Sequence, residues 1–189
     1  MTPLEFIAAR RSVRTERLEG PGPDAETLGR ILQAAVSAPD HGGLRPWRFL
    51  VTRPDGMAAL ADLFEKALLA RQPDAIPAAI AATRAKAMRS PLIVTVCAQI
   101  TAGHPKVPVE EQATAAACAA AHVLLAAEAA GYGAILLTGW MAHDPLVRAG
   151  LGLGAEDRII GFIHMGTPAG GRPAPLPRPE AAAFTRAWP

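Results

Sequence analysis

The stretch "PLIVTVCAQ", Pro91 to Gln99, sets apolar and β-branched residues one after another with no polar alternation. A strand with one wet face alternates in character, so a continuous run of this kind belongs to a strand covered on both faces. The chain must therefore supply a layer above this strand and another below it. Its 189 residues, 50% hydrophobic, suffice for one such core and are too few for two comfortable ones. A single domain over 1–189 is expected.

The covering layers are legible as helical periodicities. Thr2 and Pro3 read as the cap and first turn of a short helix, with Leu4, Phe6 and Ile7 as its apolar contacts. Asp24 opens a second helix whose Leu28, Ile31, Leu32, Ala35 and Val36 form one stripe. Asp55 caps a third, with Met57, Leu60, Ala61, Phe64 and Leu68 on one side, and a fourth is expected around Ala75 to Met88. An alanine-rich helix from about Val109 to Ala130 stops at Gly131, and Asp144 with Pro145 begins a short last one. "WRFLVT", "AILLTG" and "RIIGFIHMG" have strand composition. Strands interleaved with helices predict an α/β/α sandwich.

From Thr167 the chain becomes proline-rich, with apolar residues spaced too irregularly for a core element. Phe184 and Trp188 favour an arm that docks on another surface over a disordered one.

Charge and motif spacing exclude several functions. A formal net charge of +2 lacks the basic excess of a dedicated nucleic-acid binder. The arginines of "ARRSVRTE" are followed by the charged, turn-rich "TERLEGPGPDAE" and not by the apolar segment of an export signal. The longest apolar run is broken by His122, Glu128 and two glycines, so it does not read as a membrane span, and a soluble cytoplasmic protein is expected. Cys97 and Cys118 lie apart in apolar runs and read as packing residues; the five histidines show no spacing that pairs them on a helix face for a metal.

"ARRSVRTER" itself gathers Arg10, Arg11, Arg14 and Arg17 around Ser12 at the end of the first helix. Guanidinium forks, a hydroxyl and backbone N–H groups together suit a phosphate. Arginines at a helix C-terminus also suit the macrodipole as plain surface charge.

The motifs "RRSVR", "APDHGGLRPWRFLV", "KVPVEEQ", "AAEAAGYGAILLTG" and "IIGFIHMGTP", in this order over nearly the whole chain, resemble the nitroreductase family of FMN-dependent oxidoreductases, and most of all its compact NAD(P)H nitroreductase branch. The resemblance implies an α+β fold, a three-layer α/β/α sandwich with a central mixed sheet flanked by helices. It also implies a homodimer with FMN sites at the subunit interface, each built from both chains, and a C-terminal arm (167–189) crossing to the partner. Arg10, Arg11 and Ser12 match the family's first flavin-contacting segment, which makes the FMN phosphate their anion. Arg14 falls where a cation near the flavin stabilises its reduced, anionic form. His41 matches the histidine sent to the partner's flavin. Ser37 stands where the branch has arginine, and Leu136, Leu137 and Thr138 align with a Trp, Arg and Ser segment, so two cationic positions of the FMN site are lost here.

The implied reaction is ping-pong: NAD(P)H reduces FMN and leaves, then an electron-poor acceptor such as a nitroaromatic or quinone takes the reducing equivalents. No acid–base residue is singled out. Two alternatives stay open: a flavin-fold enzyme with another reaction, oxidative or flavin-degrading, and a non-catalytic binding protein with weakened FMN affinity. His122 and His164, inside apolar runs, read as satisfied core histidines, and Trp47 as core.

Overall fold

Strand β5 (Arg158–Pro168) holds the sheet together, because three other strands pair with it. In the computed structural model, which describes residues 1–188, β3 (Leu92–Ala98) lies along one edge of β5, with Ile93 opposite His164 and Thr95 opposite Phe162. On the other edge β4 (Gly133–Leu137) pairs with residues 162–166, and β1 (Leu18–Glu19) continues that edge at Thr167 and Pro168. β2 (Trp47–Thr52) closes the far side against β3. All seven residues of β3 are buried, as its unbroken apolar run requires.

Each neighbouring pair is antiparallel, which corrects the expected mixed sheet. For β2 and β3 the reason lies in the connection. A single crossover helix returns the chain to its starting side and yields parallel neighbours. Between β2 and β3, however, run two helices, α3 (Pro54–Arg71) and α4 (Pro77–Ala85), so the chain re-enters from the opposite end. One helix, α5 (Val109–Ala129), joins β3 to β4, and these two strands do run the same way, with β5 between them.

Alternation along the strands then sorts side chains into two cores. Leu92, Val94 and Val96 of β3 and Ile163 and Met165 of β5 face α5 and α2 (Ala25–Ala35), whose stripe Leu28, Ile31 and Ala35 is buried as read; Val36 is exposed. Ile93 and Cys97 with Ile159 and Phe162 face α3, where Leu60, Ala61 and Phe64 pack, Phe64 meeting Phe162 edge to face at 5.4 Å between centroids. Trp47 is core. α5 can lie close because the residues it buries are mostly alanines, and it ends at Gly131, whose φ of +88° lets Tyr132 N–H reach back to the Ala127 carbonyl. The last helix, α6 (Pro145–Gly150), starts on the buried Asp144, which accepts from the N–H groups of Leu146 and Val147.

Two local expectations change. Arg53, not Asp55, is the N-cap of α3; Pro54 at the first helical position sets the entry angle and Asp55 falls inside the first turn, where its charge still suits the dipole. Helix α1 (Pro3–Ala9) has the expected Thr2 cap, with a capping box to Glu5, yet buries none of its residues: Leu4 is 80% and Ile7 55% exposed. Of its large apolar residues only Phe6 is partly covered, with the Arg172 guanidinium 5.7 Å from its ring centroid. The tail after β5 bends back toward that helix, where Arg11 donates to the Ala174 carbonyl and Arg178 to the Arg10 carbonyl.

Candidate functional site

Beyond the end of β4 the sheet opens into a cavity of about 380 Å³ on the α3 side. The period-two alternation that buries Ile93 and Phe162 also puts His164 on this face, and Phe64 and Met141 complete an apolar shelf. The rim is Leu136, Leu137, Thr138 and Gly139. Gly139 turns the chain at φ +66°, a conformation costly for a side chain, and a Cβ there would meet Met141 at 3.4 Å. Lys86 and Arg89 also line the cavity, carried by the short 3-10 turn Lys86–Met88 and the residue after it.

The electrostatics of this cavity are one-sided. Arg84, on the preceding turn, is neutralised by Asp62 and Glu65, whereas Lys86 and Arg89 have no ion pair among the described residues. Lys86 is held below the usual lysine range by burial and then by the nearby Arg89. His164 is pushed down to about 4 for the same two reasons in the same order, so it is neutral at physiological pH. Its Nδ1 lies 2.9 Å from the Ser90 hydroxyl, which itself donates to the Leu92 carbonyl at 3.0 Å. Glu16 is held below the ordinary carboxylate range by hydrogen bonds from its own backbone N–H and the Thr15 hydroxyl, then by the charges of Arg89 and Arg14. Two cations over an apolar shelf suit a flat group with an electron-rich or anionic edge.

The residues singled out from sequence fall in three places. Leu136, Leu137 and Thr138 line the cavity; Arg14 is exposed and is not among its lining residues. Arg10, Arg11 and Ser12 follow α1; the Arg11 guanidinium is bonded to the tail and its backbone N–H lies 3.4 Å from Glu128, while the side chains of Arg10 and Ser12 make no hydrogen bond among the described residues. Ser37 and His41 lie beside α5: Ser37 donates to the Ala34 carbonyl at 2.7 Å, and His41 pairs with Glu111 at 2.5 Å. The structure does not bring these two to the cavity within one protomer. His122 is only half-buried and lies 3.4 Å from Ser37, so it is not a core histidine; the hydrophobic run hid its place on the helix flank. His164 is buried and satisfied at one nitrogen, as read, but it also faces the cavity. Lys86 and Arg89 were missed, and the available signal was the basic "RAKAMR" directly before the central strand.

A two-sided sheet with the cavity at the end of β4 defines a class, and the match to the family model described as the nitroreductase family, over residues 7–167, settles it. The chain belongs to the nitroreductase family. It is 38% identical over 168 residues to "Putative NAD(P)H nitroreductase YdjA" of Escherichia coli K12, covering 89% of each chain. The same fold is seen in the crystal structure of a nitroreductase-like family protein from Bacillus cereus, with a TM-score of 0.79 at 21% identity over 100% of this chain and 96% of that one. It recurs in a nitroreductase from Desulfovibrio desulfuricans solved in complex with FMN, with a TM-score of 0.75 at 24% identity over 100% and 98%.

Proposed function

We propose that the protein is an FMN-dependent oxidoreductase that uses NAD(P)H to reduce electron-poor acceptors such as nitroaromatics or quinones by ping-pong transfer. The observation that carries this reading is the pair of unneutralised cations, Lys86 and Arg89, over the apolar shelf of Phe64, Ile93 and Phe162. Support for the cosubstrate comes from the name of the Escherichia coli relative, and for the cofactor from the FMN-bound structure of the same fold.

The residues present fit FMN by the chemistry of their donors. The apolar shelf offers a face for a planar ring system, while Lys86 and Arg89 offer positive charge to its electron-rich edge. Arg10 and Ser12 supply a guanidinium and a hydroxyl for the phosphate. Arg11 adds a third donor once a phosphate replaces the Ala174 carbonyl, because a charged acceptor binds a guanidinium more strongly than a neutral one. FMN supplies the two-electron chemistry when bound. The protein orients both substrates against it and, through cations fixed in place, favours its negatively charged reduced form.

The reading takes the active species as a cytoplasmic homodimer in which Ser37 and His41 serve the partner's site. The exposed apolar face of α1 and the exposed Phe184 and Trp188 of the tail favour such an arrangement. The test is to titrate purified protein with FMN, then to follow NADH and NADPH oxidation with a nitroaromatic and with a quinone. Flavin binding and parallel double-reciprocal lines are expected. Protein that stays colourless with added FMN would favour the non-catalytic alternative, and flavin-loaded protein that consumes neither nicotinamide would favour another reaction.

A further inference from the structure

The hydrogen bonds beneath the cavity fix something that the cavity's outline does not. Ser90 has one hydroxyl proton, and its contact with the Leu92 carbonyl uses it, since a carbonyl only accepts. The 2.9 Å contact to His164 is then a hydrogen bond only if Nδ1 carries the ring proton and donates to the Ser90 oxygen. The remaining nitrogen, Nε2, is left as a lone-pair acceptor. It has no protein partner among the described residues, and the ring stands on the cavity face of β5, beside the two cations. Lys86 and Arg89 can only donate. The wall therefore presents one acceptor next to two donors, a pattern complementary to an N–H beside a carbonyl oxygen.

We propose that His164 Nε2 accepts a hydrogen bond from an N–H of the cavity's occupant while Lys86 or Arg89 donates to the adjacent carbonyl, so that the wall recognises an imide or carboxamide edge. This inference rests on the flavin-oxidoreductase reading, which offers two sources of such an edge: the imide of the flavin ring and the carboxamide of the nicotinamide. His164 is thus a binding and specificity residue. Neither the family match nor the sequence assigned it this role.

The first test is direct. In the 15N spectrum of the apo protein, Nδ1 of His164 is expected in the protonated, pyrrole-like range and Nε2 in the unprotonated, pyridine-like range; the opposite assignment overturns the proposal. The second test measures dissociation constants for FMN and for N3-methyl-FMN with wild type, His164→Leu and Ser90→Ala. Wild type should prefer FMN by about three- to tenfold, the worth of one neutral hydrogen bond, and His164→Leu should lose that preference. Ser90→Ala, which keeps the cavity's shape but frees the tautomer, should lose part of it. In parallel, the KM ratio between NADH and its 3-acetylpyridine analogue, which keeps the carbonyl and lacks the N–H, is compared in the same variants. Loss of discrimination in the flavin arm identifies the imide, and loss in the nicotinamide arm the carboxamide. Discrimination unchanged in both arms, with FMN still bound, overturns the proposal alone. Failure of every form to bind FMN overturns the flavin reading together with it.

Discussion

Leu137 lines the same cavity as Lys86 and Arg89, at the position where the resemblance led us to look for arginine. The charge is not simply lost, because two cations arrive from a different element. Leu137→Arg should therefore act in two directions. Apo protein should be destabilised by roughly 1 kcal/mol through like-charge crowding, while FMN binds more tightly and with a steeper loss on raising salt. Chemical denaturation of the apo form and FMN titrations at two salt concentrations check both halves. His164 allows a second prediction. Its pKa is about 4 in the folded state against 6.5 for an unperturbed histidine, so between these values the unfolded chain takes up a proton that the folded chain refuses. Its contribution is complete above pH 6.5, declines as pH falls toward 4, and amounts to roughly 3 kcal/mol over that window. His164→Phe should show a shallower fall in unfolding free energy between pH 6.5 and 4 than wild type, measured by urea denaturation at several pH values. At this scale the sequence was only partly legible. The rim residues Leu136 to Thr138 could be matched along the chain, but Lys86, Arg89 and His164 meet only because β3 and β5 pair in one register, which no local pattern announces.

Helices and strands were far more legible, and for a physical reason: caps and periodicities are local. The continuous run at β3, the stripe of α2, the Gly131 stop of α5 and the Asp144–Pro145 start of α6 each carry their own signal within a few residues. Strand direction carries none, since it depends on the path of the whole connection, and the sheet was read as mixed where neighbours are antiparallel. Burial of α1 was misread because Leu4 and Ile7 stay exposed and Phe6 is only partly covered, by Arg172 of the tail. The best-defined element boundary yields a third prediction. Asp144 is 3% exposed, holds two N–H groups of α6 and lies 3.7 Å from Arg71, whose guanidinium is also 5.1 Å from the centroid of the Trp140 ring. Asp144→Ala strands those donors and should cost about 1 to 2 kcal/mol, with Asp144→Asn recovering part of the loss because an amide oxygen still caps. Midpoints of urea denaturation measure it. Val147 buries against the floor of the α3-side core, so loosening α6 should also slacken the Trp140–Met141 turn beside the cavity.

At the scale of the whole molecule, the exposed apolar side chains include Leu4 and Ile7 on α1 and Leu176, Phe184 and Trp188 on the tail. The tail is tied to its own protomer mainly by polar contacts, Arg11 to Ala174, Arg178 to Arg10, and Arg172 to Glu128. On the proposed homodimer, deleting residues 169–189 should therefore leave the sheet intact while shifting the protein from dimer to monomer and weakening FMN binding by at least tenfold, as judged by sedimentation and flavin titration; a stable, flavin-loaded dimer would contradict the arrangement. The central place of β5 has a further consequence, felt during synthesis. The strand that joins β1, β3 and β4 is the last to be made, and its partner Leu18 lies about 150 residues upstream of Pro168. From the completion of β3 to that of β5 roughly 70 residues must be added, a wait of roughly 4 to 14 s at ordinary elongation rates. Throughout it the nascent chain carries its most apolar strand with one edge unpaired. The sheet can therefore close only once β5 has been made, and until then residues 92–98 are a target for holdase chaperones.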